Sequence, residues 1–162
     1  MLKQLILAVT AIFSLSSCLK GEKYKCDPAD YDACALKAPQ SEILNVQDYL
    51  SNNALVATQH CSGVFYTIDN PGTGKAPNVC SNLSVTYEGR LTNGNVFDET
   101  STPLAFNLER LIPAWKNILP LVKAGGQVHI YVPPSLGYGS QQVGPIPPNS
   151  ILVFTVAVIA VE

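Results

Sequence analysis

From Tyr131 to Phe154 the chain reads YVPPSLGYGSQQVGPIPPNSILVF, a stretch with five prolines, three glycines and three aromatics. Proline fixes φ and removes a backbone donor, so the part from Pro133 to Pro148 is neither a helix nor a central strand. It has to be a long, stiff excursion between two elements. The element after it is equally constrained. ILVFTVAVIAV, Ile151 to Val161, is eleven residues long and rich in β-branched side chains, which reads as a buried strand. It falls well short of the roughly 20 residues a membrane helix needs.

The segments before the loop supply the rest of a sheet. GVFYTIDN alternates, and LSVTYEGRL places Leu83, Val85, Tyr87, Gly89 and Leu91 on one face with polar residues opposite, the signature of a half-buried strand. Thr92-Asn93-Gly94-Asn95 is a tight hairpin turn, because Asn-Gly accepts the positive φ angles such turns require. Val96-Phe97-Asp98 begins the return, and Leu104, Phe106 and Leu108 alternate again. In IPAWKNILPLVKAGG, Pro113 suits a first helical position, Trp115, Ile118, Leu119 and Val122 form a stripe, and Gly125-Gly126 can end the helix. Pro120 inside it bends or shortens it. QVHIYV is a further strand. The fold class is therefore α+β: an antiparallel sheet of five to six strands curved around one short helix.

The N-terminal third reads differently. MLKQLILAVTAIFSLSSC carries one lysine, an apolar run from Leu5 to Leu15, then small residues before Cys18, the layout of a secretory signal. Leu15-Ser16-Ser17-Cys18 resembles the lipobox of bacterial lipoproteins, which implies acylation of Cys18 and anchorage to a lipid bilayer. On this reading residues 1–17 are a lipoprotein signal peptide and residues 18–40 a polar tether. Residues 41–60 are a short helix and connector, capped at Ser41, with Ile43, Val46, Leu50 and Ala54 on one stripe that stops at Asn52-Asn53. That helix packs on the domain or mediates a homodimer. Residues 61–162 form the principal domain.

Besides Cys18 the chain has Cys26, Cys34, Cys61 and Cys80, and an exported chain oxidises such cysteines. Four cysteines allow three pairings. Short local loops favour Cys26 with Cys34 and Cys61 with Cys80. A zinc site from Cys26, Cys34, His60 and Cys61 is the competing reading, weakened by the lack of a CxxC knuckle. Ten Lys and Arg stand against twelve Asp and Glu without clustering of either sign, which argues against a nucleic-acid partner. His60 and His129 are far apart in sequence, and His129 alternates away from Val128, Ile130 and Val132, which argues against a Ser-His-Asp or Cys-His hydrolase.

Three stretches together, VTYEGRLTNGNVFDE, LIPAWKNILPLVKAGGQ and YVPPSLGYGSQQVGPIPPNSILVFTVAV, resemble the FKBP-type peptidyl-prolyl cis-trans isomerases in order and spacing, over roughly 63–162. The resemblance implies a pocket floored by Trp115 and walled by Tyr87, Phe97, Leu104, Tyr138 and Phe154, with Leu111, Ile112 and Ile146 at the rim. Asp98 is its polar member. Tyr87, Asp98 and Phe154 are the expected catalytic residues, and the others bind substrate. It also implies proline-containing polypeptides as substrates, a macrolide as a second ligand of the same walls, no cofactor and no metal. With the lipobox, it places the protein in the bacterial cell envelope, on the periplasmic or surface side. Each aromatic taken singly is what an ordinary core contains, so the pocket rests on their joint order. The chain departs from the family between Asp98 and Leu104, where ETSTP is short and lacks the arginine that partners the aspartate. Tyr87 is then left as the partner of Asp98. Leu104 stands where the family often has an aromatic.

Overall fold

A computed structural model describes residues 25–162. The expected signal peptide and Cys18 lie outside the described residues. Six strands form one antiparallel sheet: β1 (Thr58–Gln59), β2 (Phe65–Asn70), β3 (Asn82–Leu91), β4 (Val96–Asn107), β5 (Gly126–Val132) and β6 (Leu152–Val161). Their spatial order is β1-β2-β5-β6-β3-β4, so the run that reads as a buried strand lies inside the sheet between β5 and β3. Alternate residues along β5 and along β6 as far as Val158, including Val128, Ile130, Leu152, Val156 and Val158, are buried. Among the described residues two α-helices accompany the sheet, α1 (Gln40–Asn52) and α2 (Pro113–Ile118). No helix among the described residues is long and apolar enough to cross a membrane.

The helix α2 shows what Pro120 does. It begins at Pro113 and stops at Ile118, and the chain continues as a tighter 3₁₀ turn over Leu119–Leu121, because proline can neither donate to the preceding turn nor avoid its carbonyl. Ala114, Trp115 and Ile118 turn inward and join the same buried cluster as β5 and β6.

The segment expected as the return strand and a separate later strand is one element. β4 runs twelve residues through Glu99-Thr100-Ser101-Thr102-Pro103. Its register against β3 slips between Val85↔Leu104 and Tyr87↔Thr100, so Ser101, Thr102 and Pro103 together oppose Thr86. A bulge of this kind absorbs residues without ending the strand. Strand β1, two residues long, is too short for any periodicity to reveal.

Two expectations for the N-terminal segment are corrected. First, the described part of the tether is folded onto the domain: Ala38 is buried, and its N–H donates to Ser62 O at 2.8 Å. Second, the disulfides join Cys26 to Cys80 and Cys34 to Cys61, not Cys26 to Cys34 and Cys61 to Cys80. The bonds are nested, the outer one closing 54 residues and the inner one 27. Long-range packing, which short-loop reasoning ignores, decides the partners. Cys34, His60 and Cys61 still lie with their donor atoms within 4.8 Å of one another, but Cys26 is paired elsewhere and the two sulfurs of that group are bonded to each other.

The stripe of α1 is spent within the chain. Ile43, Val46 and Leu50 are buried, each burial stabilising by about 1.5–3 kcal/mol, and Tyr49 packs against Tyr131 of β5 with ring centroids 6.4 Å apart. Gly63, with φ +95°, makes this approach possible: a Cβ there would meet Ile43 Cδ1 at 2.8 Å.

Candidate active site

The curved sheet and α2 enclose a cavity of about 160 Å³ lined by Tyr87, Phe97, Asp98, Phe106, Leu111, Ile112, Trp115, Tyr138 and Phe154. Five elements of the chain converge on it. Tyr87 comes from β3, Phe97, Asp98 and Phe106 from β4, Trp115 from α2 and Phe154 from β6. Tyr138 comes from the proline-rich loop, just past the turn Pro134–Leu136. Trp115 and Phe154 are 5 % and 3 % exposed, so two nearly buried aromatic rings form the floor.

Edge-to-face contacts fix the rings relative to one another. The Trp115 ring lies 5.4 Å from Tyr87 at 81° and 5.3 Å from Phe154 at 83°. Phe97 meets Phe154 at 5.5 Å and 88°. Such tilted pairs are the favoured arrangement of aromatic quadrupoles and contribute roughly 0.5–1.5 kcal/mol each beyond area burial.

The polar groups sit above this floor. The Tyr87 hydroxyl donates to Asp98 Oδ2 at 2.6 Å, which supplies the aspartate with the partner the missing arginine would have been. Burial, then the hydrogen bond and charge of Asp98, push the Tyr87 phenol up to about 12. Burial and the Asp98 charge raise Tyr138 as well. Both phenols are therefore neutral donors at physiological pH. The sign of the linkage follows: the raised Tyr87 value stabilises the fold fully below the ordinary phenol value of 10.0, and that contribution disappears as pH rises through about 12. In an alkaline absorbance titration, Tyr87→Phe is expected to remove a phenolate step near pH 12 and leave the earlier ones unchanged. A step lost at an ordinary phenol value instead would show that the Asp98 contact is absent.

At the mouth, the backbone N–H of Ile112 and the hydroxyl of Tyr138 have no partner among the described residues. Ile112 O is occupied, accepting from the N–H groups of Trp115 and Lys116 at the start of α2. Ile112 and Tyr138 both line the cavity, and the buried Trp115 Nε1 is likewise without a partner among the described residues.

Two residues expected in the lining stand outside it. Leu104, on the edge strand next to the bulge, is 44 % exposed, and Phe106, one alternation further along, takes the wall instead. Ile146 is buried inside the loop, where its N–H and C=O exchange hydrogen bonds with Val143 at 2.9 and 3.1 Å. The loop is tied at its base too, by Asn149 N–H to Gly139 O at 2.8 Å. Its stiffness comes from these bonds as well as from proline.

Gly89 lies directly behind two of the lining rings, which the alternation of its strand does not reveal. It lies opposite both Asp98 and Phe154 in the sheet, and a Cβ there would come within 2.5 Å of the Phe97 ring and 3.0 Å of Phe154. The Phe97 ring ends on an edge strand and can swing away, so Gly89→Ala is expected to fold. It is also expected to lower turnover of a proline peptide by about tenfold or more, since misplacing a binding wall by about 1 Å can cost that much. Full activity in that variant would show that Phe97 is not a working wall.

His129 stands away from this cavity. Its ring bonds Thr155 Oγ1 at 3.0 Å and Asp69 Oδ2 at 3.1 Å, on the sheet face opposite Val128 and Ile130.

The same arrangement of strands and helix is found in known proteins. A family model described as FKBP-type peptidyl-prolyl cis-trans isomerase matches residues 74–159. A probable FKBP-type peptidyl-prolyl cis-trans isomerase of Haemophilus influenzae is 42 % identical over 105 residues, 62 % of this chain and 44 % of that protein. An outer membrane protein MIP of Legionella longbeachae is 39 % identical over 105 residues, 62 % of this chain and 45 % of that protein. The crystal structure of FkpA from Escherichia coli superposes with a TM-score of 0.68 at 33 % identity, covering 75 % of this chain and 60 % of that one. This chain thus spans less than half the length of the two relatives matched by sequence. With a cavity floored by Trp115 on its one-and-a-half-turn helix and a family match over more than half its length, this chain belongs to the FKBP-type peptidyl-prolyl cis-trans isomerases.

Proposed function

We propose that this protein catalyses cis-trans isomerisation of the peptide bond before proline in polypeptides of the bacterial cell envelope. The observation that supports the reading is the convergence of Tyr87, Phe97, Trp115 and Phe154 on one cavity that Ile112 and Tyr138 also line. The uncatalysed barrier of about 18–20 kcal/mol comes from resonance in the C–N bond. Twisting that bond removes the resonance and leaves the amide less polarised. An apolar aromatic pocket disfavours the twisted form less than the planar one, which is differential binding of the transition state. Ile112 N–H and the Tyr138 hydroxyl hold the flanking carbonyls, and Tyr87 and Asp98 keep the polar edge of the pocket in one orientation. No bond to the protein forms.

The lipobox-like Leu15 to Cys18 supports a lipid anchor at Cys18, and the name of the Legionella longbeachae relative agrees with an envelope location. A mass spectrum of the protein purified from membranes tests the anchor. A Cys18 residue without acyl mass would exclude it. A macrolide would occupy the same walls.

A second reading keeps the pocket and drops the turnover: the domain grips proline-containing segments as a chaperone. The bulged, arginine-free ETSTP segment and the exposed Leu104 favour it. Measuring the isomerisation rate of proline peptides that differ in the residue before proline separates the two. No rate above the uncatalysed one with any peptide would end the enzyme reading and leave the chaperone.

A further inference from the structure

The floor of the pocket rests on a helix that cannot hold itself in place. α2 has six residues, and isolated helices below about 12–15 residues are marginal in water. Its position is set by what packs on it. Trp115 faces the cavity. Asn117, two residues further along and so about 200° around the helix axis, points away from the cavity and is 4 % exposed. A buried side-chain amide needs a partner, and the partner comes from the N-terminal segment: the Tyr31 hydroxyl donates to Asn117 Oδ1 at 2.5 Å. The ammonium of Lys116 lies 5.8 Å from the centroid of the same Tyr31 ring. Tyr31 therefore grips the back of α2 at two consecutive residues.

Tyr31 is itself held on both sides, by the Cys26–Cys80 and Cys34–Cys61 bonds. Further along, Glu42 of α1 accepts the backbone N–H of Ser135 at 2.9 Å. Ser135 lies in the turn from which the proline-rich loop departs. The N-terminal segment thus touches the pocket twice from outside, once behind its floor and once at the root of its wall. Neither Tyr31 nor Glu42 lies in the stretch matched by the family model.

We propose that Tyr31 is a positioning residue for isomerisation: through Asn117 it sets where α2 holds the Trp115 ring, and Glu42 does the same for the loop that carries Tyr138. The inference rests on the isomerase reading above and adds to it a part of the chain outside the matched region.

Trp115 is the single tryptophan of the chain, so its fluorescence reports on the floor alone. In the mature full-length protein, Tyr31→Phe keeps the ring under Lys116 and removes only the donor. It is expected to lower kcat/KM for a proline peptide by about fivefold, about 1 kcal/mol at about 1.4 kcal/mol per tenfold, and to shift the Trp115 emission maximum. Leaving a buried acceptor unpaired is costly, whereas replacing both partners by apolar groups is nearly neutral. Adding Asn117→Leu to Tyr31→Phe is therefore expected to restore most of the rate and the wild-type emission. Glu42→Gln, which keeps an acceptor oxygen, should retain activity that Glu42→Ala loses. A segment that merely clips onto the domain would lower the melting temperature and leave emission and kcat/KM untouched, and that result overturns the inference. So would a double variant no better than Tyr31→Phe. If the wild-type protein shows no isomerisation, the enzyme reading fails, while the emission of the single and double variants still decides whether Tyr31 sets the floor.

Discussion

Phe154→Ala is expected to lower kcat/KM for a proline-containing peptide by about a hundredfold, a barrier increase of about 2.7 kcal/mol. The ring is 3 % exposed and forms edge contacts with both Trp115 and Phe97, so its removal opens the floor and one wall together. Water then enters a cavity whose effect depends on being apolar, and it solvates the planar amide better than the twisted one. The same change leaves a void in the core, at a stability cost of about 3–5 kcal/mol. The rate is therefore compared at a temperature where circular dichroism shows the variant folded. Trp115→Leu should act in the same direction. His129→Ala, on the other face of the sheet, should leave the rate within about twofold, since surface changes away from a site rarely move it. A folded Phe154→Ala protein with the wild-type rate would remove the pocket from the mechanism, and a loss confined to His129→Ala would place the site elsewhere.

Removing the outer disulfide is expected to lower stability by several kcal/mol. Cys26 and Cys80 close 54 residues, and the loop-entropy relation gives about 4 kcal/mol for a loop of that size. At about 2–4 °C per kcal/mol for a chain of this length, Cys26→Ser with Cys80→Ser should melt about 8–16 °C lower. Because the inner bond lies within the outer loop, the two contributions are not additive. Removing the inner pair alone should cost less. A melting temperature unchanged by the loss of Cys26 and Cys80 would mean that this crosslink is not formed in the native protein.

The parts of this fold that could be read from the residues are those set by local physics. Alternation located β2 and β3, apolar and β-branched runs located β5 and β6, Asn93-Gly94 located the hairpin, and Pro113 and Pro120 bracketed α2 and foretold its shortness. The pairing of Asp98 with Tyr87 followed from the missing arginine. What local patterns do not encode is where an irregularity falls between strands. Leu104, next to the bulge at Ser101 to Pro103, is exposed while Phe106 lines the cavity, although both belong to one alternating series. The disulfide partners and the grip of Tyr31 on Asn117 span 54, 27 and 86 residues, distances over which sequence spacing carries no geometric information. The pocket itself was legible only through the joint order of its aromatics, since each ring singly looks like core.

The nesting of the two crosslinks bears on how the chain must mature. After Cys18, the four cysteines of the two bonds leave the ribosome in the order Cys26, Cys34, Cys61, Cys80. An oxidant that met the first two of these four as they emerged would join Cys26 to Cys34, a pair the finished protein does not contain. Reaching the native pairs requires either that the strands collapse before oxidation begins or that an early, incorrect bond be attacked by a thiolate and exchanged. Biogenesis of this protein thus depends on thiol reshuffling or on timing.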